Sequence, residues 1–243
     1  EAARVRADHG AASIFGGSYG WSSAGRFHHA RTQLHRYLGV TGGYTAQVTN
    51  YSYAAGMTLM PHIVGGDDCI QGPVTDWPAI VANAKLFVAF GGLSAKNGLV
   101  TSGGGGVHEY GRWHRRAAAA GVRLVNVSPV RGDIPADIAC EWIPIRPGSD
   151  AAMMLAMAHT MLSEGLEDKE FLATCTDGFE TLRAYILGES DGQPKTPEWA
   201  SALSDVPAVT IRALGRDIVK LPSMLTAAWS LQRADFGEQS FWM

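Results

Sequence analysis

A chain of 243 residues, 46% hydrophobic and 18% charged, has enough apolar material to bury a core and too much of it for a disordered segment. Twenty Lys and Arg against 23 Asp and Glu leave a formal charge of −3, which offers no field for nucleic acid or an anionic membrane surface. No apolar run approaches the roughly 20 residues that cross a bilayer, and Cys69, Cys140 and Cys175 are spaced for neither a zinc knuckle, a local iron–sulfur site nor a disulfide framework.

The opening residues Glu1-Ala2-Ala3-Arg4 have no initiator Met and no apolar signal core, and the chain stops at Phe241-Trp242-Met243 without a polar tail. Such ends are expected of an internal piece of a longer protein. Residues 1–71 read as irregular and rich in Gly, Ser, Tyr and His, with helices expected over 27–38 and 53–62. From residue 72 onward, short apolar runs alternate with helical stretches. Leu86-Phe87-Val88-Ala89-Phe90, ending in Gly91-Gly92, predicts a buried parallel strand. A helix follows over 108–120, closed by Gly121, and a second buried strand over 122–127 ends at Ser128-Pro129. A third strand over 142–145 runs into Arg146-Pro147-Gly148, where Ser149 is placed to cap a helix that continues through Met161 and closes at Gly165. Further helices are expected over 168–173, 179–187, 196–203 (Thr196 as cap, Pro197 first) and 208–220, before a last strand over 224–229. Strands separated by helices predict an α/β fold, a parallel dinucleotide-fold-like sheet with helices on both faces. Ligands of such sheets sit beyond the carboxyl ends of the strands.

Chemistry is therefore expected in the loops at those ends. The dinucleotide fingerprint is absent, and Gly103-Gly104-Gly105-Gly106 reads equally well as an ordinary surface loop, so plain NAD binding has little support. Three strand ends carry polar residues instead: Ser128-Pro129-Val130-Arg131, Arg146-Pro147-Gly148-Ser149-Asp150 and Trp229-Ser230-Leu231-Gln232-Arg233. Arg131 and Arg233 can each pair bidentately with a phosphate. Asp150, in a first helical turn, can accept from the two nitrogen donors of a guanine or from a ribose hydroxyl, or can simply complement the helix start. On composition alone the plainer reading is favoured. His28, His29, His62 and His159 show no pair at metal-ligand spacing and are read as structural.

The amino-terminal third changes the balance. The run from Ser13-Ile14-Phe15-Gly16-Gly17-Ser18-Tyr19-Gly20-Trp21 through Arg26-Phe27-His28-His29 resembles the active-site entry segment of the dimethyl sulfoxide reductase family of molybdenum enzymes. Asn50-Tyr51-Ser52-Tyr53-Ala54-Ala55 resembles that family's serine-ligand segment, at the family's spacing from Tyr19, and Leu59-Met60-Pro61-His62 follows in register. Pro129-Val130-Arg131, Arg146 to Asp150, Ala158-His159-Thr160, Gly188-Glu189-Ser190-Asp191-Gly192, Trp229 to Arg233 and Gly237-Glu238-Gln239 match in the same order. Within the family, Gly91-Gly92-Leu93-Ser94-Ala95-Lys96-Asn97, Ser102-Gly103-Gly104 and Ile134-Pro135-Ala136-Asp137 are most similar to the biotin sulfoxide reductase branch.

The resemblance implies a specific chemistry: removal of oxygen from an S-oxide of the biotin or methionine sulfoxide type, or from an N-oxide, by atom transfer to reduced molybdenum. Trimethylamine N-oxide or dimethyl sulfoxide reduction is the alternative, and a nucleotide-binding piece without catalysis is the rival from another class. The implied cofactor is molybdenum bis(molybdopterin guanine dinucleotide), contacted by Trp21, Ser128, Arg131, Gly148, Asp150, Trp229, Ser230, Gln232 and Arg233. Ser52 becomes the metal ligand, since a hard alkoxide suits a high-valent ion; without the resemblance it would be read as an ordinary buried serine. Tyr19 is implied to donate a hydrogen bond to the oxygen in transit and Trp21 to line the pocket, although isolated Tyr and Trp residues are usually core aromatics. The implied partners are a small S-oxide or N-oxide and an electron donor, either reduced nicotinamide or a redox protein, with no nucleic acid and no membrane insertion. Residues 1–71 would form part of the active-site domain and 72–243 a domain holding one pterin guanine dinucleotide. The chain alone is expected to be inactive, and the compartment cytoplasmic, with the periplasm as the alternative.

Overall fold

A computed structural model of the chain describes all residues except 19–24, 51, 73 and 99–106. Two compact units form, one from Glu1–Tyr51 with Ala95–Tyr110 and the other from Ser52–Ser94 with Gly111–Met243.

The first unit has more regular structure than its composition predicts. A helix, Ala2–His9, precedes β1 (Phe15–Gly16), which pairs in parallel with β2 (Thr45–Ala46), and the helix Ala30–Val40 lies between them in sequence. The expected 27–38 helix is found as two pieces, Gly25–His28 and Ala30–Val40, broken at His29, whose Nδ1 accepts from the Thr32 amide at 3.3 Å and caps the second piece. Among the described residues of this unit Leu38 is the one deeply buried aliphatic side chain.

The second unit is built on a four-stranded parallel sheet. β3 (Leu86–Phe90), β4 (Arg123–Val127), β5 (Glu141–Ile143) and β6 (Ser223–Ala227) lie in the order β5-β4-β3-β6. This is the predicted α/β architecture, and the predicted strand over 86–90 matches residue for residue. All five β3 side chains are buried, which explains why the strand reads as a continuous apolar run rather than an alternating one. On one face Leu86, Val88, Phe90, Val125, Val127 and Ile143 pack against the helices Asp150–Ser163, Pro197–Ser204 and Ala208–Lys220 through Met153, Ala156, Ala200, Ile211 and Leu214. Each such aliphatic side chain contributes roughly 1.5–3 kcal/mol on full burial. The opposite face carries the Trp77 ring, stacked on Phe87 at 5.4 Å and met edge-on by His114 at 5.1 Å.

Caps explain most helix limits. Thr196 accepts from the Trp199 amide at 3.1 Å, as expected. Gly121 closes the Tyr110–Ala119 helix with φ of 80°. Ser149 departs from expectation: its hydroxyl donates back to the Arg146 carbonyl at 2.6 Å instead of capping the helix that begins at Asp150. The Trp77–Asn83 helix was not expected, although Asp76 accepts from the Ala79 amide at 2.9 Å and Pro78 sits in the first turn. Residues 52–71, grouped above with the amino-terminal segment, pack within this second unit. There Met60 and Ile70 form a small cluster with Phe241, flanked by Tyr53, Met57, Trp229 and Leu231.

Burial behind the sheet lowers the His114 pKa to about 4, with the Arg115 charge adding to the effect. The folded value lies below the unfolded value of 6.5, so the unfolded chain takes up the extra proton and stability is lost as pH falls from 6.5 towards 4. At about 1.4 kcal/mol per pH unit the full swing is at most about 3 kcal/mol. Replacing His114 by Leu should flatten this acid limb in a thermal-melting series, and an unchanged slope would remove His114 as its source.

Candidate functional site at the carboxyl edge of the sheet

β3, β4 and β5 are laid down outward in one direction, and β6 returns to the other side of β3. The carboxyl ends of β3 and β6 therefore flank a topological switch point, the usual crevice for ligands in open parallel sheets. All the predicted cofactor contacts beyond residue 71 belong to loops that leave this edge.

After β4, the Ser128 hydroxyl donates to Asp133 Oδ2 at 2.7 Å and accepts from the Val130 amide at 3.1 Å. The Ser128 carbonyl accepts from Trp142 Nε1 at 2.8 Å. Ser128 thus ties its own loop, while Arg131 stays exposed with its guanidinium 5.9 Å from the Trp142 ring centre. A hollow of about 400 Å³ opens here, lined by Arg131, Ile134, Ile138, Trp142 and Asn126. Asn126 is 1% exposed, and neither end of its carboxamide has a hydrogen-bond partner among the described residues. Sequence reading missed Asn126, because a lone polar residue within an apolar strand carries no motif.

After β5, Gly148 turns with φ of 79° and delivers Asp150 to the first turn of its helix. Asp150 is 3% exposed, and its Oδ1 has no hydrogen-bond partner among the described residues. Burial raises its pKa above the ordinary carboxylate range.

After β6, the turn Trp229–Arg233 holds the segment that carries Ser52. Gln232 Nε2 donates to the Ser52 carbonyl at 3.1 Å and to the Trp229 carbonyl at 3.2 Å, while its Oε1 accepts from the Gly56 amide at 2.9 Å. Arg233 Nε donates to the Ser52 carbonyl at 3.2 Å. The Tyr53 and Trp229 rings lie 4.3 Å apart. Ser230 is exposed. The structure therefore brings Ser52, Trp229, Gln232 and Arg233 together from opposite ends of the sequence. Tyr19, Trp21 and the glycine run 103–106 lie outside the described residues.

Buried polar atoms without protein partners among the described residues at Asn126 and Asp150, with the exposed Arg131 guanidinium beside Asn126, fit a large polar group bearing phosphate and hydrogen-bonding rings. A parallel sheet with such an edge is the architecture on which open α/β folds take ligands at the carboxyl ends of their strands. The chain matches the molybdopterin oxidoreductase family over residues 1–243, and it belongs to that family. It is 47% identical over 242 residues to the biotin sulfoxide reductase of Cereibacter sphaeroides, covering all of this chain and 32% of that protein. It is 39% identical over 245 residues to the dimethyl sulfoxide/trimethylamine N-oxide reductase of the same organism, covering 29% of it. Among solved structures, acetylene hydratase from Pelobacter acetylenicus shares the fold, with a TM-score of 0.60 and 21% identity over 98% of this chain and 29% of that one. The chain thus spans about a third of the length of these relatives. Family membership brings with it a molybdenum–molybdopterin cofactor.

Among the described residues no group of three His, Cys, Asp or Glu side chains is placed to hold a metal, and no helix is long and apolar enough to cross a membrane. The site instead depends on close backbone approach. A Cβ on Gly237 would sit 2.7 Å from the Gln232 carbonyl carbon and closer still to the Leu231 carbonyl oxygen. Gly237→Ala should displace the 229–233 turn at a cost of about 1–3 kcal/mol, the usual scale of overpacking. A melting temperature equal to that of the parent protein would show that the turn has room to move.

Proposed function

We propose that the protein containing this chain removes oxygen from an S-oxide, with a biotin or methionine sulfoxide as the substrate class. Trimethylamine N-oxide or dimethyl sulfoxide is the alternative substrate. The observation that carries this reading is the 47% identity, across the entire chain, to a biotin sulfoxide reductase. The fixed position of Ser52 at the sheet edge supports it. The cofactor in this proposal is the bis(molybdopterin guanine dinucleotide) form, and when bound it supplies the two-electron chemistry that takes up the oxygen atom.

Each residue of the chain then has a defined task. Ser52 offers a hard hydroxyl oxygen as the protein's ligand to molybdenum, from a turn whose carbonyl is anchored by Gln232 and Arg233. Asp150 offers its open carboxylate oxygen to the nitrogen donors of a guanine, and those bonds would favour the charged form that burial opposes. Arg131, Arg233 and the backbone at Gly148 and Ser128 face the phosphates and sugars, with Trp229 and Ser230 beside them. Tyr19 donates a hydrogen bond to the substrate oxygen, and Trp21 lines the pocket against water. Reducing equivalents come from reduced nicotinamide or a redox protein.

Ser52→Ala in the full-length protein should lose both firmly held molybdenum and turnover, since water replaces an anchored oxygen ligand. Metal analysis with a viologen-linked S-oxide assay checks this, and near-normal values of both would sink the ligand assignment. Normal binding of a free guanine nucleotide with no molybdenum in the parent protein would favour the non-catalytic reading.

Tyr19→Phe should slow S-oxide reduction by about tenfold to a thousandfold, the scale of one positioned donor to developing charge. Molybdenum content should stay constant. Equal rates across several substrates would take Tyr19 out of the chemistry.

A further inference from the structure

The family resemblance places the whole segment Trp229 to Arg233 against the cofactor, yet the geometry gives Gln232 different work. Its carboxamide offers two N–H donors and an oxygen. Both donors are spent, on the Ser52 carbonyl at 3.1 Å and the Trp229 carbonyl at 3.2 Å, and the oxygen takes the Gly56 amide at 2.9 Å. Its orientation follows from these partners, because two carbonyls need the nitrogen and one amide needs the oxygen. Gln232 is 9% exposed, so the bonds are shielded from water. Ser52 and Gln232 are 180 residues apart in sequence, so the contact is tertiary and joins the switch-point loop to the turn that opens the Ala54–Ile63 helix.

We propose that Gln232 is a positioning residue, which clamps the backbone of Ser52 and the first turn of the following helix and thereby sets where the Ser52 hydroxyl is presented. This inference rests on the reading of Ser52 as the molybdenum ligand. Two features brace the clamp from behind. Gly237 brings backbone against Gln232 closer than any side chain would allow, and Gly56 fits beneath Ile70, whose Cδ1 would be 2.9 Å from an added Cβ. Arg233 donates to the same Ser52 carbonyl but is exposed, and so remains available to an anionic ligand while Gln232 does not. Movement of a ligand by even about 1 Å is enough to cost on the order of a hundredfold in rate, so an anchor on the backbone of Ser52 is functionally consequential.

The test uses the full-length molybdenum-loaded protein and two variants. Gln232→Leu removes all three bonds. Gln232→Glu keeps an acceptor for Gly56 but, when ionised, turns an oxygen towards the Ser52 and Trp229 carbonyls. In the Leu variant, hydrogen exchange across 52–60 should quicken by about tenfold or more, with 86–90 and 123–127 unchanged. Its molybdenum electron paramagnetic resonance signal should shift, and kcat should fall by about tenfold to a hundredfold with KM nearly constant. The Glu variant should regain kcat as pH is lowered and its carboxyl gains a proton to donate, a profile that plain loss of packing does not produce.

Unchanged exchange over 52–60 in the Leu variant would overturn the clamp. Quickened exchange with an unaltered signal and kcat would overturn the positioning role. If the Leu variant does not fold, a flat pH profile of the Glu variant overturns the proposal instead. Ser52→Ala is measured alongside: if it leaves molybdenum content and signal intact, the ligand reading itself fails and the positioning role falls with it, whatever the exchange data show.

Discussion

The end of β3 is the constraint from which the rest of the second unit follows. This strand is buried on both faces between two parallel neighbours, and on leaving the sheet it must make room for loops arriving from both sides. Gly91 and Gly92 do this with φ of 80° and 93°. A Cβ on Gly91 would lie 2.9 Å from Ala228 and 3.0 Å from Leu231, and one on Gly92 would lie 2.7 Å from the Asp133 carboxylate. The loop after β4, tied internally by Ser128 and Asp133, therefore rests on one side of the strand end. The loop after β6, which holds Ser52, rests on the other. A bulkier pair at 91–92 would push apart the two walls of the switch point, which explains why the chain carries two glycines where a parallel strand meets its loop.

Much of this was legible in the sequence because it is local. The run 86–90 is apolar throughout and bounded by glycines, so strand type, limits and burial could be read together. Thr196-Pro197 and Gly121 announce helix ends through the chemistry of their own backbone. The misreadings have physical causes too. β1 and β2 are two-residue strands whose pairing joins positions thirty residues apart, with no alternating pattern long enough to register. The Trp77–Asn83 helix is short and apolar, and its cap at Asp76 was the available signal. Ser149 stands at a good capping position, yet the Arg146 carbonyl competes for its hydroxyl and wins at 2.6 Å.

The site was legible in a different sense. Motif order drew attention to Ser52, Asp150 and Trp229 to Arg233, but a motif says that residues matter without saying what each touches. Gln232 is the clearest instance: nothing near it in sequence indicates that its partners lie at positions 52 and 56. Lys195 is another. It looks like an ordinary surface lysine in a Gln-Pro-Lys-Thr-Pro stretch, yet it is 2% exposed, with Nζ donating to Asp191 Oδ2 and the Gln193 carbonyl and lying 4.1 Å from the Tyr185 ring centre. Burying that charge is tolerable only because the loop 188–196 wraps acceptors around it. The Asp191-Gly192 turn is thus explained by a neighbour four residues on.

The polar groups at the sheet edge divide by how they are satisfied, and the division has an energetic meaning. Ser128 and Gln232 have their full complement of protein partners and hold the loops in shape. Arg131 and Arg233 are exposed and lose little by waiting for a counter-charge. The Asn126 carboxamide and Asp150 Oδ1 are buried without a hydrogen-bond partner among the described residues, and a buried polar group without a partner costs on the order of 1–3 kcal/mol, more when charged. A bound group that supplied those bonds would recover that cost, in addition to what it gained from a neighbouring guanidinium. Binding of such a group to the folded form alone would stabilise the fold in turn. The loop beyond β6, by contrast, carries its own bonds: Gln232 and Arg233 both donate to the Ser52 carbonyl, so the protein itself holds that backbone in place.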